Sequence, residues 1–228
     1  MRAFLTLAAT VALAPSLTAQ TPDSIPEESS GVMFPVRLAA GGGEHVFTGA
    51  GMRTRTFLKV KVYAFGLYVD AAGARANLAG FAGKTSRDLE RDDAFYDALL
   101  ARTFPMTLRL VMTRDVGAET MAEAFDGALR PRVERAAAEM NMPGGVEALE
   151  QFRAYFSVEE MTKESVLVFT CTTGGTLSTR IKARTEPDIQ SAALCWALFD
   201  VYLGDDPISG DGKRKVIARF PEILGATD

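Results

Sequence analysis

Residues 49–70 read GAGMRTRTFLKVKVYAFGLYVD. From Met52 to Asp70 this run is β-rich. In a regular strand Val60, Val62, Ala64, Gly66 and Tyr68 share one face, and Lys59, Lys61, Tyr63, Phe65 and Leu67 share the other. The run is longer than an ordinary strand of roughly 5–6 residues, so a bend or hairpin is expected near Thr56-Phe57-Leu58, although no Asn-Gly or Pro-Gly marks it. With that bend, Arg53 and Tyr63 face each other across adjacent strands. Arg55, two residues on, shares the face of Arg53.

The same reading extends in both directions. Val32 to Ala39 is a strand, broken by Gly41-Gly42-Gly43, with Glu44 to Thr48 as its returning partner. Thr107 to Arg114 alternates Leu108, Leu110 and Met112 against Thr107, Arg109, Val111 and Thr113. Ala154–Glu160 and Ser165–Thr172 are expected strands, and Gly174-Gly175 turns the latter into Thr176–Ala183. Helical periodicity predicts Ser86–Arg102, capped by Ser86, and Ala118–Asn141, with Met121, Phe125, Leu129 and Val133 as its stripe. A short helix should run through Phe152. Asp188–Leu203, which holds Trp196, and Lys213–Leu224 complete the helices. The strands alternate rather than running continuously apolar. That favours an α+β fold in which helices cover one face of an antiparallel sheet. With no long linker or repeat after residue 31, residues 31–228 read as one domain.

Composition narrows the chemistry. The 228 residues are 47% hydrophobic and 24% charged, as in an ordinary globular domain. A formal net charge of −4 argues against a sequence-independent nucleic-acid binder. The single histidine, His45, excludes zinc sites built on two imidazoles and leaves no Ser/His/Asp set; it reads as a loop or edge residue rather than a haem ligand. Two cysteines exclude a four-cysteine metal site. The phosphate-binding glycine motifs are absent. Asp205-Asp206 reads as turn chemistry before Pro207, while Asp92-Asp93 and Glu159-Glu160 read as solvated pairs. Arg109 and Arg114 read as solvated or ion-paired. No metal, cofactor or catalytic residue is expected, and the oligomeric state is left open.

Residues 1–19, MRAFLTLAATVALAPSLTA, have the form of a secretory signal peptide: Arg2, an apolar run from Phe4 to Leu13, and Ala19 at a cleavage position. The run is too short to span a bilayer, so a periplasmic or secreted protein without stable membrane insertion is expected. Residues 20–30, QTPDSIPEESS, read as a flexible polar leader. Cys171 and Cys195 are either free core residues or the bridged pair that an exported setting permits.

Three ordered segments resemble the chalcone isomerase-like superfamily. They are residues 49–70 quoted above, TFPMTLRLVMTRDVGAETMAEAFDGAL at 103–129 and IQSAALCWALFDVYLGDDPISGDGKRKV at 189–216. The resemblance implies an open-faced β-sandwich, an antiparallel sheet with helices packed on one side. It also implies one of two functions. The plant enzyme of this superfamily cyclises a chalcone to a flavanone; other members bind fatty acids without catalysis.

The enzyme's arginine falls on Arg53. Its first hydroxyl position, a threonine there, falls on Tyr63. Its tyrosine, asparagine and late threonine fall on Met121, Ala128 and Val201, none of which donates a hydrogen bond to an enone carbonyl. The fatty-acid-binding members clasp the carboxylate with an arginine and a tyrosine, which correspond to Arg53 and Tyr63. The expectation is therefore non-catalytic binding of a fatty acid or similar small amphipathic carboxylate. Arg53 and Tyr63 would stand at the mouth of an apolar pocket walled by Met121, Ala128 and Val201. The alternatives are a chalcone isomerase-type isomerase or intramolecular lyase on a phenolic or conjugated substrate, and an accessory protein that uses the fold to hold a partner.

Overall fold

In the computed structural model, residues 23–55 and 60–225 are described. The expected signal peptide at 1–19 lies outside them, as do residues 56–59, where the bend was placed. Strands β1 (Ser24–Pro26) and β2 (Met33–Pro35) form a small hairpin. Strands β3 (Arg37–Ala40) and β4 (Gly43–Arg55) follow, joined through Gly41 and Gly42 at φ of 58° and 80°. Those left-handed values suit glycine and make this reversal tight. Strand β5 (Val60–Val69) pairs antiparallel with β4, from Val46 opposite Val69 to Arg55 opposite Val60.

The chain then forms α1 (Ala71–Asn77), α2 (Ser86–Leu89) and α3 (Asp93–Leu100) before β6 (Met106–Met112). Helices α4 (Ala118–Glu139) and α5 (Val146–Ala154) lead to β7 (Val166–Cys171) and β8 (Thr176–Ile181). The short strands β9 (Arg184–Thr185) and β10 (Ile189–Gln190) precede α6 (Ala192–Leu203), α7 (Gly210–Lys215) and α8 (Phe220–Gly225). Among the described residues the main sheet runs β10-β8-β7-β6-β5-β4-β3, with β9 beside β8, and every pairing is antiparallel. This is the expected α+β arrangement.

The helical face of the sheet carries the larger core. Phe65, Leu67, Leu110, Leu167 and Phe169 are almost wholly buried there with residues of α3, α4 and α6. Helix α6 is apolar nearly all round and buried along its length, as a helix enclosed on every side must be. Its interior Asp200 is answered by two arginines of α4. Arg132 Nε donates to Asp200 Oδ2 at 2.8 Å and Arg135 donates to the same oxygen at 3.1 Å. Cys171 on β7 and Cys195 on α6 are bridged, which resolves the alternatives that the sequence left open. Among the described residues no helix is long and apolar enough to cross a membrane.

Several expectations fail for identifiable reasons. Residues 23–30 are not a loose leader. Ser24–Pro26 pairs with Met33–Pro35, and Phe34 is buried against Phe47 on the sheet's other face, with ring centroids 5.8 Å apart. Glu27, only 3% exposed, accepts hydrogen bonds from Ser29 and Ser30. Burial pushes its carboxyl up, and those bonds outweigh burial and hold it below the usual value. Ala154–Glu160 forms no strand. Tyr155 and Phe156 continue an aromatic cluster with Phe125, Phe152 and Phe169 instead. The helix expected over Ser86–Arg102 breaks after Leu89, and its first piece is capped by Thr85, whose side chain and that of Asp88 form a capping box. The last helix is likewise two, α7 and α8. His45 is a core residue 2% exposed, its Nδ1 within 2.9 Å of Thr107 Oγ1.

One irregularity decides the site. Arg53 pairs with Tyr63 and Thr54 with Lys61, so Val62 is an extra residue in β5. Such a bulge resets the alternation. Val60 and Tyr63 therefore share the helical side, while Lys61 turns outward and donates to the Ser29 carbonyl on the β1–β2 hairpin. The strict two-residue period assigned Val60 and Tyr63 to opposite faces.

Candidate functional site

A cavity of about 840 Å³ lies between the β4–β5 ribbon and helices α4 and α6. Small-molecule sites commonly occupy roughly 300–1,000 Å³. Arg53, Tyr63, Met121, Ala128 and Val201 all line it. The two residues expected to be polar partners and the three expected as wall thus meet in one place. Apolar lining comes also from Val60, Val62, Val116, Phe125, Leu129 and Leu198. Gly127 faces open space, since a Cβ built there meets nothing within 4 Å.

The polar corner is set by the sheet and by the segment before α7. Arg53 and Tyr63 are directly paired across β4 and β5. One Arg53 N–H donates to the Ile208 carbonyl at 2.8 Å. Ile208 is brought there because α7 lies backbone-to-backbone on β4. A Cβ on Gly49 would stand 1.9 Å from the Lys215 carbonyl oxygen, and one on Gly51 would stand 2.5 Å from Gly212 Cα. Glycine at these positions is what the close approach requires.

The Tyr63 hydroxyl lies 3.0 Å from that of Tyr202, which also lines the cavity. Sequence reading missed Tyr202. It sits in a helix so uniformly apolar that nothing marks its hydroxyl as part of a site. Burial pushes the Tyr63 phenol up, while the hydrogen bond with Tyr202 and the Arg53 charge pull it down. Burial raises Tyr202 well above the ordinary phenol value, and neighbouring Tyr63 adds to the rise. Both phenols are therefore neutral near pH 7. The corner offers guanidinium N–H groups and one spare hydroxyl proton, a set matched to an acceptor-only group such as a carboxylate.

The pair does not stand at a mouth, contrary to expectation. Tyr63 is 9% and Tyr202 3% exposed, and Arg53 is half-buried. The exposed rim is made instead by Arg55, Arg114, Asp115, Thr120 and Glu123. Arg114, expected to be solvated or paired, thus lines the same cavity. Arg55 shares it with Arg53, as the strand period implies. Arg132 forms another part of the wall. Two further N–H groups donate to the Ala128 carbonyl of its own helix and to the Asp206 carbonyl just beyond α6, so it ties α4 to the end of α6. Arg109 is on the opposite face, over the Phe34 ring at 5.3 Å.

The family profile described as chalcone isomerase like matches residues 44–217. Fatty-acid-binding protein 2 of Arabidopsis thaliana is 28% identical over 207 residues, covering 87% of this chain and 51% of that protein. This chain therefore spans about half the length of that relative. Fatty-acid-binding protein 1 of the same plant is 25% identical over 199 residues, covering 84% and 68%. A chalcone–flavanone isomerase of Oryza sativa subsp. japonica is 26% identical over 212 residues, covering 87% and 90%. The crystal structure of an Arabidopsis thaliana fatty-acid binding protein superposes with a TM-score of 0.75 over 89% of this chain and 99% of that one, at 22% identity. That likeness concerns the fold.

Proposed function

The chain belongs to the chalcone isomerase-like family, and from that membership together with the cavity we propose that it binds a fatty acid or similar small amphipathic carboxylate without transforming it. The observation that carries this reading is the convergence of Arg53 and Tyr63, paired across two strands, on one corner of a cavity whose interior wall is largely apolar and whose exposed rim is polar. Two relatives named as fatty-acid-binding proteins support it. The non-donating side chains of Met121, Ala128 and Val201 on the wall also favour binding over a reaction of the kind the isomerase relatives are named for.

The magnitudes agree. Burying ten methylenes contributes about 8 kcal/mol at about 0.8 kcal/mol each. Lost ligand freedom cancels much of that, and a charge-assisted head contact restores roughly 1.5–3 kcal/mol. With that loss at its lower bound of about 4 kcal/mol, about 5.5–7 kcal/mol remains, a dissociation constant of roughly 10–100 micromolar. Export belongs to the same proposal and rests on residues 1–19; N-terminal sequencing of protein from the native host should begin at Gln20.

Displacement of a fluorescent fatty acid by dodecanoate tests the reading. Arg53→Gln should weaken dodecanoate about 10- to 100-fold, the equivalent of one charged hydrogen-bonding contact. Wild-type protein that carries no acyl ligand by native mass spectrometry and shows no displacement would refute it. Consumption of chalcone by the wild type, abolished by Arg53→Gln, would replace binding with catalysis.

A further inference from the structure

Tyr202 lies in the last turn of α6, where the flanking Val201 and Leu203 are buried. A phenol so enclosed needs a partner for its hydroxyl. That partner is Tyr63, 3.0 Å away at the cavity wall. We propose that Tyr202 is a positioning residue: it fixes the direction of the hydroxyl chain beside Arg53 and so makes the cavity select an anionic, acceptor-only head over a neutral one. This rests on the carboxylate-binding reading above.

Counting protons gives the reason. Two phenols bring two O–H protons, and their mutual hydrogen bond uses one. If Tyr63 donates to Tyr202, Tyr63 offers the ligand only lone pairs. If Tyr202 donates to Tyr63, the Tyr63 proton is free for the ligand. A carboxylate held by Arg53 can only accept, so it selects the second direction: Tyr202 to Tyr63 to carboxylate, with Arg53 donating alongside. Each bond in such a chain polarises the next. Tyr63 is the member of the pair that stands directly opposite Arg53 across β4 and β5. Phe65, with its centroid 4.7 Å from that of Tyr202, holds the rear ring in place. The Ile208 carbonyl holds the guanidinium. A neutral alcohol can donate as well as accept, so it satisfies either direction and gains less from the fixed one.

Tyr202→Phe keeps the ring and its contact with Phe65 and deletes only the hydroxyl. Calorimetric titration with dodecanoate and with 1-dodecanol, on wild type, Tyr202→Phe, Tyr63→Phe and the double variant, tests the chain. Tyr202→Phe should weaken dodecanoate about three- to tenfold, as for loss of one hydrogen bond. Dodecanol should stay within about twofold, which also shows that the cavity is intact. In the Tyr63→Phe background the second substitution should add nothing for dodecanoate. Unchanged dodecanoate affinity, an equal loss for both probes, or a full loss that persists without the Tyr63 hydroxyl would each overturn the proposal. A wild type that binds dodecanoate alongside an indifferent Tyr202→Phe removes this inference alone; a wild type that binds no dodecanoate removes the carboxylate reading as well. Tyrosine labelled at 13Cζ gives a check in the unmutated protein. Dodecanoate should shift the resonances of both Tyr63 and Tyr202, and a shift at Tyr63 alone would also overturn it.

Discussion

Asp200→Leu should destabilise the protein by about 3–5 kcal/mol, the usual consequence of stripping one partner from a buried ion pair. Asp200 is 6% and Arg132 14% exposed at the side chain, with 2.8 Å between them. The substitution leaves the Arg132 cation enclosed with only the Ala128 and Asp206 carbonyls for company. Those two acceptors place the loss toward the lower end of the range. Arg135 contributes little, because it is 47% exposed and water screens it. For a chain of this size, about 2–4 °C per kcal/mol gives a fall in melting temperature of the order of 10 °C. Urea unfolding reports the change directly, read through Trp196, the single tryptophan, over whose ring Arg135 lies at 4.9 Å. Adding Arg132→Met should recover most of the loss, since replacing both members of a buried pair with apolar groups is close to neutral. Asp200→Leu as stable as wild type, or a double variant no better than the single one, would refute the reasoning that this pair fastens α4 to α6 across the cavity.

Further expectations concern separate features. Replacing Cys171 and Cys195 together by serine should cost about 3 kcal/mol in urea unfolding, from the chain freedom released by opening a link between residues 24 apart in sequence. Gly127→Leu should leave stability unchanged or raise it by up to about 1 kcal/mol, because leucine favours a helix over glycine and the position faces open space. The same change should weaken long-chain fatty acids more than short ones in the displacement assay. Burial lowers His45 below its ordinary value of 6.5, with the charge of Asp70 opposing. Between the two values the unfolded chain binds the extra proton. The stability linked to His45 is therefore complete above pH 6.5 and declines as pH falls from there toward the lowered folded value. In urea unfolding between pH 7.5 and 5, His45→Gln should flatten that decline.

The Arg53–Tyr63 corner was legible because the family resemblance picked out these two residues and one bend puts them opposite each other. The facing of Val60 was not, because a bulge of one residue leaves no mark in a pattern of period two. Ala154–Glu160 misled for a related reason. A short apolar stretch serves strand or helix end equally well, and here the aromatic partners Phe125 and Phe169, distant in sequence, decided it. Residues 24–26 were too polar to announce a strand; their pairing depends on Phe34 finding a place beside Phe47 across the sheet. Tyr202 and Asp200 sit in a helix whose composition points to burial, and their partners on β5 and α4 emerge only from tertiary packing.

The extra residue in β5 also bears on how this site can change. Removing a residue from most strands turns every side chain beyond it to the wrong side. At position 62 the opposite holds. With Val62 deleted, Arg53 still meets Tyr63, Thr54 still meets Lys61 and Arg55 still meets Val60, as they do now. The ladder would become regular, no charged group would swing inward, and the lining would lose one aliphatic side chain. The chain thus holds a point where its hollow can be enlarged by shortening the backbone, with no substitution elsewhere.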